Sequence, residues 1–375
     1  MQKKITIFAM HLDFGGIEKY ISLLCKMFEK DYEIEIITTY KFREEPAFYF
    51  DPKIKIKYLV TDNLKDESLK KLIKQKKFIA VLKELNRRAK VKRQARKLNI
   101  AEIKSLKTDY VITTRAYHNH LINKYLKNSH VITIATEHNH HNNDQKYIND
   151  FISSVTNFNY VIHCTKELYD FYKDKIHGPK NILIENTIDI DNNKVAQLGN
   201  KKIISVGRIS PEKGFFDLID VMKLIHEKDK KVTLTICGDG YQKEELENYI
   251  YSKKLNRVVK MTGFIGGDKL YREYLQASVY VMPSKSEAFG LVLLEAMHFG
   301  LPCISFSSAS GARNLLDDGT GILIDRRNKE EMAENILKML NDSKLQKKYQ
   351  KKSLDKVKNY SLKNTYTKWK KEILH

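Results

Sequence analysis

The chain has 375 residues, more than one compact core ordinarily holds, so two domains of about 150–200 residues each are expected. A hydrophobic content of 42%, with 16 Gly against 6 Pro, is that of a globular protein and excludes collagen-like, low-complexity and wholly disordered classes. With 67 Lys and Arg against 46 Asp and Glu the net charge is +21, which calls for an anionic partner: a nucleotide, a nucleic acid or an acidic lipid surface.

In chain order, the apolar run Ile5–Met10 is the first expected strand, and a loop carrying Gly15 and Gly16 leads into a helical pattern over Ile17–Phe28. That apolar run ends at His11 and Asp13, too soon for a secretory leader, and no stretch reaches the roughly 18 apolar residues that a membrane helix needs. Further strands are expected at Tyr32–Thr39, Ile54–Val60, Tyr110–Thr114, Val131–Thr136 and Tyr160–His163. Between the third and fourth lies Lys70–Lys97, which holds 13 Lys or Arg against Glu84 alone, a net +12. Leu72, Ile73, Ile79, Leu82, Leu85 and Ala89 recur there at spacings near three and four, the mark of one apolar helical face. Such a helix either packs on its own domain or lays a basic face on anionic lipid, with Arg87, Arg88, Lys92 and Arg93 at the headgroups. Phe78 is its sole aromatic residue, which weakens a base-stacking, nucleic-acid reading.

A second strand series runs Lys202–Val206, Val232–Cys237, Val258–Thr262, Val279–Met282, Cys303–Phe306 and Gly321–Ile324, with helices such as Phe216–His226 and Leu291–Phe299 between. Alternation of this kind is the pattern of parallel sheets covered on both faces, the doubly wound α/β class. Polar Glu185–Asn193 reads as the linker between the two sets, and the Lys-rich tail Leu345–Leu374 as helix with a break at Tyr360-Ser361. The cysteines, Cys25, Cys164, Cys237 and Cys303, stand far apart and read as buried thiols of a reducing compartment.

The most informative stretch is Ser284–Met297, which follows a strand and opens a helix. A strand, a glycine-bearing loop and a helix start together make an anion site, because unpaired backbone N–H groups point outward there. Glu287 and Glu295 would repel a phosphate, so they make sense as acceptors of sugar and ribose hydroxyls beside it. This E-x7-E pattern, within SEAFGLVLLEAMHFGLP, resembles the retaining glycosyltransferases of family 4. Their fold is GT-B: two Rossmann-like doubly wound domains facing a central cleft.

The resemblance implies an acceptor-binding domain over 1–186, a nucleotide-sugar domain over 187–356, and a last helix, about 357–375, packed back on the first. It makes Gly207, Arg208 and Lys213, in GRISPEKG, the clamp on the donor diphosphate. Gly15 and Gly16 match the family's N-terminal glycine loop, and Gly238, Gly263 and Phe264 its turns beside the nucleotide. Ala288, Phe289, Gly290 and Leu291 complete the donor site with Glu287 and Glu295. His138, in Glu137-His138-Asn139, matches the family's histidine near the donor sugar, which would hydrogen-bond the sugar or steady positive charge at the anomeric carbon. The implied reaction is metal-independent front-face displacement without another cofactor, the donor being a UDP-sugar, the family's commonest. The implied acceptor is a glycan or lipid-linked glycan of a cell-surface polysaccharide pathway, met by a cytoplasmic protein peripheral to the membrane.

Two further features have the residue types of metal sites. His118, His120, His138, His140 and His141 follow strand-like runs and are expected at the cleft edge, but they lack the His-x3-His spacing of a metal site. Asp189-Ile190-Asp191 has the look of a D-x-D metal motif yet stands where the family has its hinge. Departures from the family are Asn314, where many relatives have Glu, and Thr187 in place of the hinge glycine. The competing functions are an epimerase or phosphorylase of the same fold, a nucleic-acid-binding protein, and an inactive scaffold.

Overall fold

The computed structural model describes residues 2–62, 64, 69, 72–73, 75–127 and 130–374. The chain divides into two units, the first Met1–Cys164, Leu168–Ile184 and Tyr366–His375, the second Thr165–Glu167 and Glu185–Thr365.

The first unit holds seven parallel strands: β1 (Lys4–Ala9), β2 (Glu33–Tyr40), β3 (Lys55–Val60), β4 (Tyr110–Thr113), β5 (Ile132–Glu137), β6 (Tyr160–His163) and β7 (Lys180–Leu183), in the order β3-β2-β1-β4-β5-β6-β7. Central β1 and β4 are buried on both faces: in YVIT of β4 every residue is buried, and in KITIFA of β1 even Thr6 is, although its sequence begins with polar alternation. Strand β7 has no counterpart in the sequence reading, because four residues after Gly178-Pro179 carry too short a pattern. The helices are α1 (Gly16–Phe28), α2 (Phe78–Lys104), α3 (Ala116–Tyr125), α4 (Gln145–Ser154) and α5 (Lys166–Tyr172), the last belonging to this unit from Leu168 on. Helix α1 buries Ile17, Tyr20, Ile21, Leu24 and Phe28, an i, i+3, i+4 stripe.

The basic segment departs from expectation. Lys70, Lys71 and Lys74 lie outside the described residues, and the regular helix begins only at Phe78. Its buried residues are Val91, Ala95, Asn99 and Ile103, in the second half, whereas Ile79, Leu82 and Leu85 are exposed. The anticipated stripe is therefore not the face that packs on the unit. Arg87 and Arg88 are not the solvent-facing cations anticipated either. Arg87 bonds Glu84 and Asp62, while Arg88 bonds Glu84 and the Leu64 carbonyl, which leaves exposed Lys92 and Arg93 for a surface role.

The second unit has six parallel strands: β8 (Lys202–Val206), β9 (Thr233–Cys237), β10 (Val259–Met261), β11 (Val279–Met282), β12 (Cys303–Phe306) and β13 (Ile322–Ile324), ordered β10-β9-β8-β11-β12-β13. Its helices are α6 (Phe215–Lys228), α7 (Lys243–Ser252), α8 (Gly267–Leu275), α9 (Leu291–His298), α10 (Ser310–Leu316), α11 (Lys329–Asn341) and α12 (Ser343–Val357). One apolar core joins Leu218, Met222 and Ile225 of α6 to Ile236, Val281, Ile304 and Ile336 from the sheet and α11. The last helix, α13 (Leu362–Glu372), belongs to the first unit from Tyr366 on. There Trp369 is fully buried, edge-on to Phe28 at 5.2 Å, and Lys370 pairs with Asp31 at 2.8 Å.

In each sheet the winding direction reverses once, between β1 and β4 and between β8 and β11. Loops leaving adjacent strands at such a point diverge to opposite faces and open a crevice at their carboxyl ends.

Candidate functional site

In the second unit the loop after β8 carries Gly207, Arg208 and Lys213, and the loop after β11 carries Glu287, Ala288, Phe289 and Gly290. The reversal point thus brings these two motifs, about 75 residues apart in sequence, side by side. The amide of Lys285 donates to the Glu212 carbonyl at 2.8 Å, and Lys213 Nζ pairs with Glu287 Oε2. Gly214, at φ +67°, crosses so close to the Pro283 carbonyl that a Cβ would lie 2.2 Å from its oxygen. Glycine is required there both by conformation and by space.

Gly290 caps α9 from the left-handed region, φ +88°, without any side-chain cap bond. The first N–H groups of α9 therefore carry their partial positive charge at the mouth of the site. Ala288, Phe289 and Leu291 are buried, so what this turn offers a ligand is its backbone. Arg208 is exposed on the neighbouring loop. Glu295 is 2% exposed and accepts a hydrogen bond from Tyr274 Oη at 3.1 Å. Burial, together with the Glu295 charge, pushes the Tyr274 phenol far up, so it stays a donor and fixes that carboxylate.

The other residues that the resemblance assigns to the donor also lie at carboxyl ends, after β9 and β10. Gly238 donates its N–H to the Gly263 carbonyl at 2.9 Å, and a Cβ on Gly238 would lie 1.8 Å from the Gly207 carbonyl oxygen. Gly238 is thus demanded by the packing of three loops on one another. Gly263, at φ +70°, turns the chain into Phe264, whose ring is 38% exposed.

Arg327 is a positioning residue that the sequence reading missed. Its guanidinium donates to the Ser284 carbonyl at 2.9 Å, the Pro283 carbonyl at 2.9 Å and Ser308 Oγ at 3.0 Å, and also bonds Asp217. It lies 4.2 Å from the Phe306 ring centroid. Burial pushes Asp217 up, but the hydrogen bonds from Arg327 and Lys329 outweigh it and hold this carboxyl below the usual range. Arg327 therefore fastens the stem of the Glu287 loop, and no local motif marks it.

In the first unit Gly15 and Gly16 open α1 after β1, and Gly16 has open space where a Cβ would stand. His138 follows β5, its Nε2 2.9 Å from Thr136 Oγ1 and its ring 4.1 Å, centroid to centroid, from Tyr20 of α1. Burial, aided by the nearby Arg115 charge, lowers His138 to about 3, so it is a neutral imidazole. Glu137, 3% exposed, accepts from the Asn139 amide at 2.7 Å and Tyr147 Oη at 2.9 Å. Burial raises its pKa to about 7 although those two donors favour the ionised form. Arg115, just after β4, and Glu137 were visible only as polar residues ending strands, a signal the sequence reading left unused.

The other histidines correct the expectation of a cleft-edge cluster. His118 is fully buried within α3, its Nε2 2.9 Å from Thr39 Oγ1 and its ring against Phe8. His141 is buried against Phe171 at 3.8 Å, and His120 is exposed on α3, 2.9 Å from Asp150. Helical periodicity scatters residues 118 and 120 to different faces, which proximity in sequence conceals. Among the described residues no group of three or more His, Cys, Asp or Glu is arranged to hold a metal ion. Thr187 bonds the Tyr360 carbonyl at 2.7 Å, and Asn314 donates to Glu185 at 3.2 Å.

Residues 187–355 match the family of glycosyl transferases group 1. An uncharacterized glycosyltransferase of Haemophilus influenzae is 31% identical over 199 residues, 53% of this chain and 56% of that protein. The matched stretch thus spans just over half that relative's length. Among solved structures, Staphylococcus aureus TarM, with fondaparinux, alpha-GlcNAc-glycerol and UDP, superposes at TM-score 0.79 and 17% identity, covering 98% of this chain and 99% of that one. The lipopolysaccharide outer core galactosyltransferase WaaB superposes at 0.70 and 17% identity, covering 99% of each chain. The fold is GT-B.

Proposed function

We propose that the chain, whose residues 187–355 match the group 1 glycosyl transferases, is a retaining glycosyltransferase that uses a nucleotide-sugar. The observation that carries this reading is the joining of Arg208, Lys213, Glu287 and the N-terminus of α9 at one reversal point. Cations and a helix start on one side answer a diphosphate, and a carboxylate beside them answers a sugar hydroxyl. UDP is the proposed carrier, supported by the UDP in the TarM structure.

In the proposed reaction the bond from the anomeric carbon to the diphosphate oxygen breaks as the acceptor oxygen bonds the same face. The acceptor proton passes to the departing phosphate, and charge develops in an oxocarbenium-like sugar. Arg208, Lys213 and the α9 amides stabilise the charge left on the diphosphate, preorganised where it grows, and take the place of a metal. Glu287 orients the sugar, and Glu295, steadied by Tyr274, receives the ribose hydroxyls. Neutral His138 serves the sugar by hydrogen bonding. The acceptor, a glycan or lipid-linked glycan, is assigned to the first unit, and the protein to the cytoplasmic face of an anionic membrane. WaaB, named for the lipopolysaccharide core, supports an acceptor of that kind.

A thermal-stability screen with UDP, GDP and their sugars, followed by transfer to lipid-linked acceptors, tests the reading. UDP and one UDP-sugar are expected to raise the melting temperature, and the product to keep the donor's anomeric configuration by NMR. Free sugar or an isomerised nucleotide-sugar without acceptor would instead favour a phosphorylase or an epimerase. No response to any nucleoside diphosphate would sink the proposal.

A further inference from the structure

Helix α2 changes character along its length. Val91, Ala95, Asn99 and Ile103 pack on the unit, while Phe78, Ile79, Leu82 and Leu85 are 76%, 75%, 66% and 47% exposed. Ile73, just before the helix, is 58% exposed. Four large apolar side chains on the first turns of α2 form a patch that the described residues leave exposed.

The same stripe continues as cations. Arg93 stands 11 residues beyond Leu82, three turns, and Arg96 stands 18 residues beyond Phe78, five turns, so each returns to the apolar stripe's bearing. Arg93, Arg96 and Lys97 are exposed, as are Lys76, Lys77 and Lys83 around the tip. The helix has two acidic residues, Glu84 and Glu102, and both are held by basic neighbours: Glu84 by Arg87 and Arg88, Glu102 by Lys57 at 2.8 Å.

We infer that the N-terminal half of α2 is a membrane-docking wedge: Phe78, Ile79, Leu82 and Leu85 enter the acyl boundary of an anionic bilayer while Lys83, Arg93, Arg96 and Lys97 meet its headgroups. An anionic lipid surface offers hydrocarbon directly beneath negative charge, the complement of an apolar tip ringed by cations. A second copy of the helix would bring like charges together, and a nucleic acid would leave the aliphatic residues uncovered. The inference deepens the membrane part of the proposed function and is independent of the donor chemistry.

The test is co-sedimentation of the full chain with phosphatidylcholine vesicles with and without phosphatidylglycerol. Wild type is expected to bind the anionic vesicles, and Phe78→Ser/Ile79→Ser/Leu82→Ser to lose about tenfold or more of that affinity, since each buried apolar side chain adds to insertion. Arg93→Glu/Arg96→Glu/Lys97→Glu should abolish the preference for anionic vesicles. The chain's one tryptophan, Trp369, is fully buried, so the indole introduced by Phe78→Trp reports separately. Its emission should shift to the blue on vesicle binding and be quenched by brominated acyl chains. Vesicle binding unchanged in the apolar triple variant, no indole response, or no wild-type binding would each overturn the wedge. A wild-type dimer that the same triple variant dissociates without lipid would assign the patch to a second copy instead. UDP-induced stabilisation, measured on the same samples, fails only if the donor reading fails, so the two failures are distinguishable.

Discussion

Lys213 and Glu287 neutralise one another across the two loops. In the proposed reaction a diphosphate would compete with Glu287 for Lys213, and the carboxylate so released would turn to the sugar, coupling recognition of both ends of the donor. Arg208→Ala and Lys213→Ala are each expected to lower turnover by about 10²-fold, the usual cost of removing one preorganised charge. Purified variants with near-normal turnover would remove both from the diphosphate clamp. Glu287→Gln should depress transfer yet keep or tighten binding of plain UDP, because it frees Lys213, whereas Glu295→Gln should weaken UDP through the ribose. Isothermal titration with UDP checks the contrast, and equal losses would end this division of roles.

Glu137 makes a separate prediction at the same scale. Its folded pKa is raised from 4.5 to about 7, so between those values the unfolded chain releases a proton that the folded chain keeps. Stability from this group therefore falls as pH rises from about 4.5 to 7, by an amount on the order of a few kcal/mol. Glu137→Gln retains an oxygen for the Asn139 amide and Tyr147 but cannot ionise. Its stability relative to wild type should rise across that window, measured by urea unfolding at pH 4 and pH 8. The difference cancels His118 and His138, which act with the opposite sign. Parallel profiles would show that Glu137 keeps an ordinary pKa.

Single elements aim the site by their ends, and those ends need anchors. Helix α9 supplies its amides only if the loop before it is held, and the hold is the Arg327 fork on the Pro283 and Ser284 carbonyls. Lysine keeps the charge but lacks a planar fork that can serve several acceptors at once. Arg327→Lys is accordingly expected to retain most of the fold while weakening UDP binding by about tenfold, the scale of losing one or two charge-assisted hydrogen bonds. Near-wild-type UDP affinity in Arg327→Lys with lowered melting temperature would reduce the residue to a structural one. Helix α2 shows the converse: its second half packs on the unit through Val91, Ala95, Asn99 and Ile103, and its first half is tied to the chain before it by Arg87 to Asp62 and Arg88 to the Leu64 carbonyl. Reversing those two arginines would unfasten the helix before it tested any surface.

At the scale of the molecule, two sheets of the same winding each place their polar loops at carboxyl ends beside one reversal, so each unit presents one set of site loops. With protein cations at the diphosphate, transfer is expected to persist in excess EDTA, and complete loss restored by Mn²⁺ or Mg²⁺ would return attention to Asp189 and Asp191. The sequence by itself determined the strand runs other than β7, and the place of the E-x7-E loop between a strand and a helix, because these obey local rules: apolar runs for buried parallel strands, and glycine where φ is positive, as at Gly290. It also placed the break at Tyr360-Ser361, where α12 and α13 part. Tertiary structure alone decided which polar groups meet. Arg327 reaches the Glu287 loop from 40 residues away, and Tyr274 reaches Glu295 from another helix. It also decided which side of α2 is buried and that His118 is core, since burial depends on what the fold sets against a side chain. Periodicity shows that a helix has an apolar side; only the packed neighbours select the face that the chain covers for itself.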